Sequence, residues 1–410
     1  MSASSLSAWL GSDAIEPEAM KQRLEALSDE ELCHYGLRAY RMNLLALLGG
    51  RRSTAEIMRL AREAALSKLW LGWLYHHHTL PRLTSEARPP AVTGLPLQTI
   101  RDMQAAGRGI VVVTFHLGHM RQLPSDLAHA GIEVLVPLAA DAFGNYESAR
   151  QANPEAALWK HFRHVCVEVR GGALVLARGL ARGACVVSTI DGNTGIDGPR
   201  GSDRRQAVGM LDTDVKVKNG LIAMAARFGA AILPVVAVTR DGRPTCQCLP
   251  LLDPGRPLQG DAAAAFVQAT TAHVYAWFGE VLLESAGEWC GGDLFHQWRL
   301  PRRQPERPAV DVEDDLVHAL GRGDGLALDA SRVMELPGNG ERILVDVQST
   351  RCYRFAQDDD AFMEQITGPV GIDQAWLDGC DGARREKALK LLRMLASRHA
   401  VIPVRSGALA

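Results

Sequence analysis

Charge imbalance, long apolar runs and paired cysteines are all scarce in this sequence, and each scarcity excludes something. Forty-five Lys and Arg stand against 47 Asp and Glu in 410 residues, a formal net charge of −2 with a pI near 6.7. No chain-wide basic field is available to hold nucleic acid. No uninterrupted apolar stretch reaches the ~18–20 residues of a membrane span. The nearest, residues 64–75, is broken by Lys68 and Gly72. The eight cysteines (Cys33, Cys166, Cys185, Cys246, Cys248, Cys290, Cys352 and Cys380) contain no Cys-x-x-Cys pair. They read as reduced, mostly buried thiols of a cytosolic protein. Cys246 and Cys248 lack further ligands at zinc spacing, so no metal is expected. The opening Met-Ser-Ala-Ser-Ser-Leu has neither the basic nor the apolar segment of a signal peptide. Internal repeats and low-complexity segments are absent as well.

What is present is the composition of an ordinary folded chain, 47% hydrophobic and 22% charged. Its length points to about two to three domains. Residues 1–90 read as a helical cap: Ser28–Glu31 and Ser53–Glu56 have the capping-box pattern, and Leu37, Tyr40, Leu44, Leu45 and Leu48 share one face. From 91 to 300 short β-branched runs (109–115, 132–136, 166–169, 185–190, 231–239) alternate with helical patterns (121–130, 147–163, 172–182, 217–228). The fold class expected is therefore α/β, with a mostly parallel central sheet and flanking helices. A proline-rich, charged stretch at 301–310 reads as a linker. Residues 311–410 then read as a small α+β domain with a winged-helix-like order: strands at 343–347 and 352–355, helices at 358–367, 371–378 and 383–397, and a closing strand at 401–404.

Three places carry chemistry. The run Val111–Phe115 leads into His116-Leu117-Gly118-His119, and ligands of open α/β sheets bind beyond the carboxyl ends of strands. A histidine there suits general-base work; the plainer reading is a surface loop with a capping histidine. A second strand leads into Asp191-Gly192-Asn193-Thr194 and on to Arg200-Gly201, a long polar loop able to order a substrate or an oxyanion. Arg200, Arg204, Arg205, Lys216 and Lys218 could gather into a basic patch, although a solvated face is the commoner fate of such charges.

With these motifs in order, residues 35–300 resemble the lysophospholipid acyltransferase superfamily, in its bacterial lipid A late-acyltransferase branch. The resemblance runs from Arg41-Met42-Asn43-Leu44 through His116, Gly171–Leu174, Arg182-Gly183, Asp191 and Ala230–Val235 to Trp289 and Trp298-Arg299. It implies transfer of a fatty acyl group from an acyl-carrier-protein or acyl-CoA thioester to a hydroxyl or amine, with no tightly bound cofactor. It makes His116 the base of a His-x-x-x-x-Asp/Glu motif. Arg121 stands where that acid belongs, which leaves Asp126, His119 or Asp191 to orient the histidine. Asn193, Arg200 and the other basic residues, Arg121 included, become candidates for donor or oxyanion binding. The branch's N-terminal membrane span is missing, so Lys68–Tyr75 with His76-His77-His78 is expected to pack in the cap, rest on a bilayer or line an acyl groove. The expected location is cytoplasmic, with peripheral contact at the inner membrane face. Residues 342–355 and the helices after them resemble the peptide-binding winged-helix domain of the pyrroloquinoline quinone peptide chaperone, implying a peptide partner. The rival reading is a noncatalytic acyl- or peptide-binding scaffold.

Overall fold

The computed structural model describes residues 15–84, 92–191, 205–302, 304–337 and 342–405. It divides into two compact units. The first takes the chain through Tyr40 and again over Arg59–Leu300; the second takes Arg41–Met58 and the chain from Pro301 onward.

The first unit opens on helices α1 (Pro17–Glu25), α2 (Asp29–Cys33), α3 (Leu37–Leu48) and α4 (Thr54–Leu74), with the unit division falling inside α3 and α4. The capping box forms at α2: Ser28 Oγ accepts from the Glu31 backbone and Glu31 answers to the Ser28 N–H. After α4 the chain widens into a π-helical turn, Tyr75–Thr79, which holds all three consecutive histidines. Helix α5 (Leu97–Ala105) then leads into the sheet.

The α/β class is observed. Strands β1 (Ile110–Thr114), β2 (Val134–Leu138), β3 (Phe162–Cys166), β4 (Cys185–Thr189), β7 (Ala231–Arg240) and β8 (Arg243–Cys248) form one six-stranded sheet in the order β3-β2-β4-β1-β7-β8. All neighbours are parallel except the β7–β8 hairpin. Between β4 and β7 lies the hairpin β5 (Arg205–Met210) and β6 (Thr213–Lys218), whose second strand also bridges antiparallel to Arg299. The buried, β-branched strands are apolar on both sides, as a sheet covered on both faces requires. One face (Val112, Val134, Val136, Val187, Leu233) packs on α5 and on α6 (Leu123–His129) and α7 (Ala140–Ala152). The other is covered by α8 (Gly172–Ala181), α9 (Gly220–Phe228) and the long α10 (Gly260–Ser285), where Phe115 stacks on Phe278 at 3.6 Å. The split follows the chain's direction across the sheet: it moves one way from β1 through β3 and reverses at β4, which under crossovers of one hand puts the later helices on the opposite face.

Three stretches differ from expectation: the helix expected over 217–228 begins at Gly220, because residues 213–218 form β6 of a hairpin that was not expected, and two more lie earlier than expected. The helix expected over 147–163 spans 140–152, because Pro154 disfavours helical backbone at Asn153. The strand expected at 166–169 therefore lies earlier, as β3.

The second unit contains α11 (Ala309–Gly321), β9 (Gly325–Leu328), the meander β10 (Val333–Pro337), β11 (Arg342–Asp346) and β12 (Arg351–Phe355), then α12 (Asp360–Thr367), α13 (Gln374–Asp378), α14 (Gly382–Ser397) and β13 (Val401–Val404). The last strand pairs antiparallel with β9. Its core gathers Leu316, Leu344, Tyr353, Phe355, Met363, Leu392 and Leu395. At the turn after β11 the buried Asp346 binds Arg332 through both oxygens (3.0 and 2.7 Å) and accepts from Ser349 Oγ at 2.6 Å. Residues 41–58, expected wholly within the N-terminal cap, group here instead. Gln348 Nε2 donates to the Ala46 carbonyl at 3.1 Å, and a Cβ on Gly49 would lie 2.8 Å from the Ser331 carbonyl.

Candidate active site

Strands β1 and β4 lie side by side with Thr114 opposite Thr189. His116 and Asp191 each follow their strand by two residues, so equal register carries them to the same level at the carboxyl end of the sheet. The ladder persists past the strands, with Ile190 N–H donating to the Thr114 carbonyl. His116 Nδ1 lies 2.8 Å from Asp191 Oδ1, and the His116 backbone N–H donates to the same carboxylate at 3.0 Å. Trp289 Nε1–H approaches Asp191 Oδ2 at 3.4 Å. Asp191 is 4% exposed, whereas the His116 side chain keeps a third of its surface open. A carboxylate so held fixes the imidazole as the Nδ1–H tautomer and leaves the Nε2 lone pair as the acceptor, facing the Thr189 hydroxyl at 3.5 Å.

Burial pulls the His116 pKa down; the charge and hydrogen bond of Asp191 push it up, Arg121 opposes them and Asp293 assists. The net direction is upward from 6.5. Glycine is required opposite the pair: a Cβ on Gly291 would sit 2.9 Å from His116 Cβ and 3.0 Å from Asp191 Oδ2. The Gly291 N–H donates to the His116 carbonyl, and Tyr40 Oη–H holds the preceding carbonyl of Cys290 at 2.7 Å.

Two cavities meet at His116. One, of about 170 Å³, is walled by Lys68, His119, Arg121, Asp191, Cys290 and Asp293 together with the apolar Leu71, Leu74 and Leu294. The other, of about 270 Å³, is walled mainly by Met120, Pro124, Val136, Leu138, Ala142, Tyr146 and Val187. Tyr75, Met120 and Arg121 border both. Arg121 lies 5.2 Å above the Tyr75 ring and has no carboxylate partner among the described residues. Thr189 Oγ1 lies 3.5 Å from His116 Nε2, beside the larger cavity.

The other expected residues fall elsewhere. Asp126 is buried in the first turn of α6, where Oδ2 accepts the Val92 N–H at 2.7 Å; it borders neither cavity and pins the chain running into the sheet. His119 borders the smaller cavity, but its Nε2 meets Thr239 Oγ1 at 3.1 Å, and burial lowers its pKa. It is a wall, not the partner of His116. Arg205 and Lys218 face each other across the β5–β6 hairpin with Lys216 on the same strand, and none of the three borders either cavity. Asn193, Arg200 and Arg204 lie outside the described residues. Of the aromatic and histidine segment, Trp73 is buried against Trp70, His77 and His78, and His76 borders the larger cavity.

Thr189, Tyr75 and Tyr146 had no individual role in the sequence reading. Thr189 lies two residues before Asp191 and so borders the same strand end, which is a usable signal. Tyr75 and Tyr146 carry none, because only the tertiary fold brings them together. Among the described residues no group of three or more His, Cys, Asp or Glu is arranged to hold a metal ion, and no helix is long and apolar enough to cross a membrane. In comparisons with known proteins, neither a family nor a curated protein matches the chain.

Proposed function

We propose that the protein is an acyltransferase that moves a fatty acyl group from an acyl-carrier-protein or acyl-CoA thioester to a hydroxyl or amine. The observation that carries this reading is the His116–Asp191 pair, set where two largely apolar cavities meet, the smaller of them also walled by Lys68, Arg121 and Asp293. The acyl chain occupies the larger cavity, and the acceptor enters by the smaller one, whose wall carries Lys68 and Asp293. His116 Nε2 removes the acceptor proton as its oxygen or nitrogen forms a bond to the thioester carbon. The carbon–sulfur bond then breaks, and the imidazolium returns its proton to the departing thiolate. Asp191 orients the ring and stabilises the imidazolium, the part assigned to the acid five residues after the histidine in the acyltransferase family the chain resembles. Arg121, at that family position, offers its charge to a phosphate of the donor or acceptor.

The second unit, with its two small sheets and three closing helices, is read as a winged-helix-like module for a peptide partner. The setting proposed is cytoplasmic, with peripheral membrane contact and an acceptor that is a peptide or other specialised metabolite. The noncatalytic acyl-binding alternative draws on Arg121 and the peptide-scaffold alternative on the second unit; the oriented His116–Asp191 pair weighs against both. The test is incubation of the purified chain with acyl-CoA and acyl-carrier-protein thioesters of graded length and candidate acceptors, read by intact mass and thiol release. His116→Ala is expected to lower transfer by about 10²–10⁴-fold. Full transfer by that variant would overturn the assignment.

A further inference from the structure

A second site lies away from His116, along the outer edge of the sheet. Strand β3 is the first in the sheet order, and among the described residues nothing pairs with its outer side. A cleft of about 740 Å³ follows this edge, with Glu147 and Arg150 of α7 on one flank and Arg178 of α8 with Arg182, which caps its end, on the other. The two helices cover opposite faces of the sheet, so the cleft is the open rim between them.

Two properties set it apart from an ordinary protected edge. The first is charge. Lys160, Arg163, Arg178 and Arg182 all border the cleft, and none has an ion pair or side-chain hydrogen bond among the described residues. Glu147, one of two acids there, is already taken by Arg150 at 2.8 Å and His164 at 3.0 Å. The second is an unmet acceptor. The His164 side chain is only 5% exposed, yet its Nδ1 is buried without a partner, as is Nδ1 of His161 on the same wall. Burial lowers the His164 pKa, so the neutral ring donates from Nε2 to Glu147 and Nδ1 offers a lone pair. A buried acceptor of this kind costs free energy until a donor reaches it.

We propose that this rim binds an extended acidic peptide segment, which adds a strand to β3. Its backbone N–H groups meet the free carbonyls of β3 and the lone pair of His164, and its carboxylates meet Lys160, Arg163, Arg178 and Arg182. Strand addition gives affinity through the main chain, while the flanking charges select the partner. The site is independent of acyl transfer and of the second unit. Exposed Val175 at the cleft offers an apolar contact to the side chains between the acids.

The probe is a fluorescein-labelled eight-residue peptide of alternating Glu and Val, titrated with the full-length chain and read by anisotropy. Saturable binding that weakens with salt is expected, and the Lys–Val counterpart is expected not to bind. N-methylation of alternate backbone nitrogens is expected to weaken binding at least about tenfold, since it removes strand donors while keeping every charge. The exposed pair Arg178→Glu with Arg182→Glu is expected to weaken it by a similar factor. Equal binding of the N-methylated peptide would overturn strand addition, and unchanged binding by the double variant would overturn the site. Failure of the parent peptide to bind would overturn the proposal outright. Retained acyl transfer in the double variant keeps this result separate from the fate of the active-site reading.

Discussion

At the scale of the residue, the reactivity of His116 is set by a carboxylate 75 positions away in the chain. Asp191→Asn keeps the shape but removes the charge and can present a donor to Nδ1, which favours the wrong tautomer. Transfer is expected to fall by about 10³–10⁴-fold, measured as kcat/KM with a fixed thioester. The pH profile follows from the upward shift of His116. The base must be neutral, so the rate climbs with pH through a limb above 6.5, and Asp191→Asn moves that limb down in whatever activity remains. Stability runs the other way. The protonated pair stabilises the fold fully below the ordinary histidine range, and that contribution disappears as pH rises through the raised folded value. Unfolding midpoints of wild type and His116→Ala across pH 5–9 check the sign. Between the two histidines, Gly118 has φ +53° and a Cβ there would lie 2.2 Å from the Ala237 carbonyl oxygen. Gly118→Ala is expected to cost about 1–2 kcal/mol for the left-handed backbone alone, with the clash added, read as a lowered unfolding midpoint.

Single elements were the most legible part of the sequence. Runs such as Ile110–Thr114 and Ala231–Arg240 announce themselves by β-branching, and Ser28 with Glu31 announces the start of α2. The neighbour of each strand was not legible. That β4 rather than β2 lies beside β1 depends on the reversal of chain direction after β3, and no local pattern encodes it. For that reason Asp126, close to His116 in sequence, was as good a candidate acid as Asp191, until the sheet order separated them. Helix α7 shows the same logic in use. Ala142 and Tyr146, four apart, face the larger cavity, while Phe143 and Glu147 face the cleft on β3. Ala142→Trp is expected to fill the end of the larger cavity, where the proposed acyl chain would lie. The longest accepted thioester should lose roughly tenfold or more in kcat/KM while short ones change little, and an unshifted chain-length profile would remove the acyl chain from that cavity.

For the whole molecule, the linear division into cap, core, linker and tail misses one fact: residues 41–58 belong with those after 300. Leu44, Leu45, Leu47 and Leu48 are all buried, and a side chain of that size is worth about 1.5–3 kcal/mol when fully covered. A chain ending at Leu300 is therefore expected to elute from size exclusion as aggregates, whereas a clean proline-rich linker would predict a monodisperse fragment. Monodisperse, fully active 1–300 would contradict this organisation.

The interleaving also imposes a schedule on synthesis. Residues 41–58 leave the ribosome early, but their companions follow only after roughly 240 further residues. At about 5–20 residues per second, that is a wait of roughly 12–50 s. Throughout it a leucine-rich hairpin has no mate, while the sheet that will hold His116 and Asp191 is already being laid down. Production in the cell is thus governed by how well that early hairpin is shielded, and slower translation or scarce chaperone is expected to show first as insoluble chain.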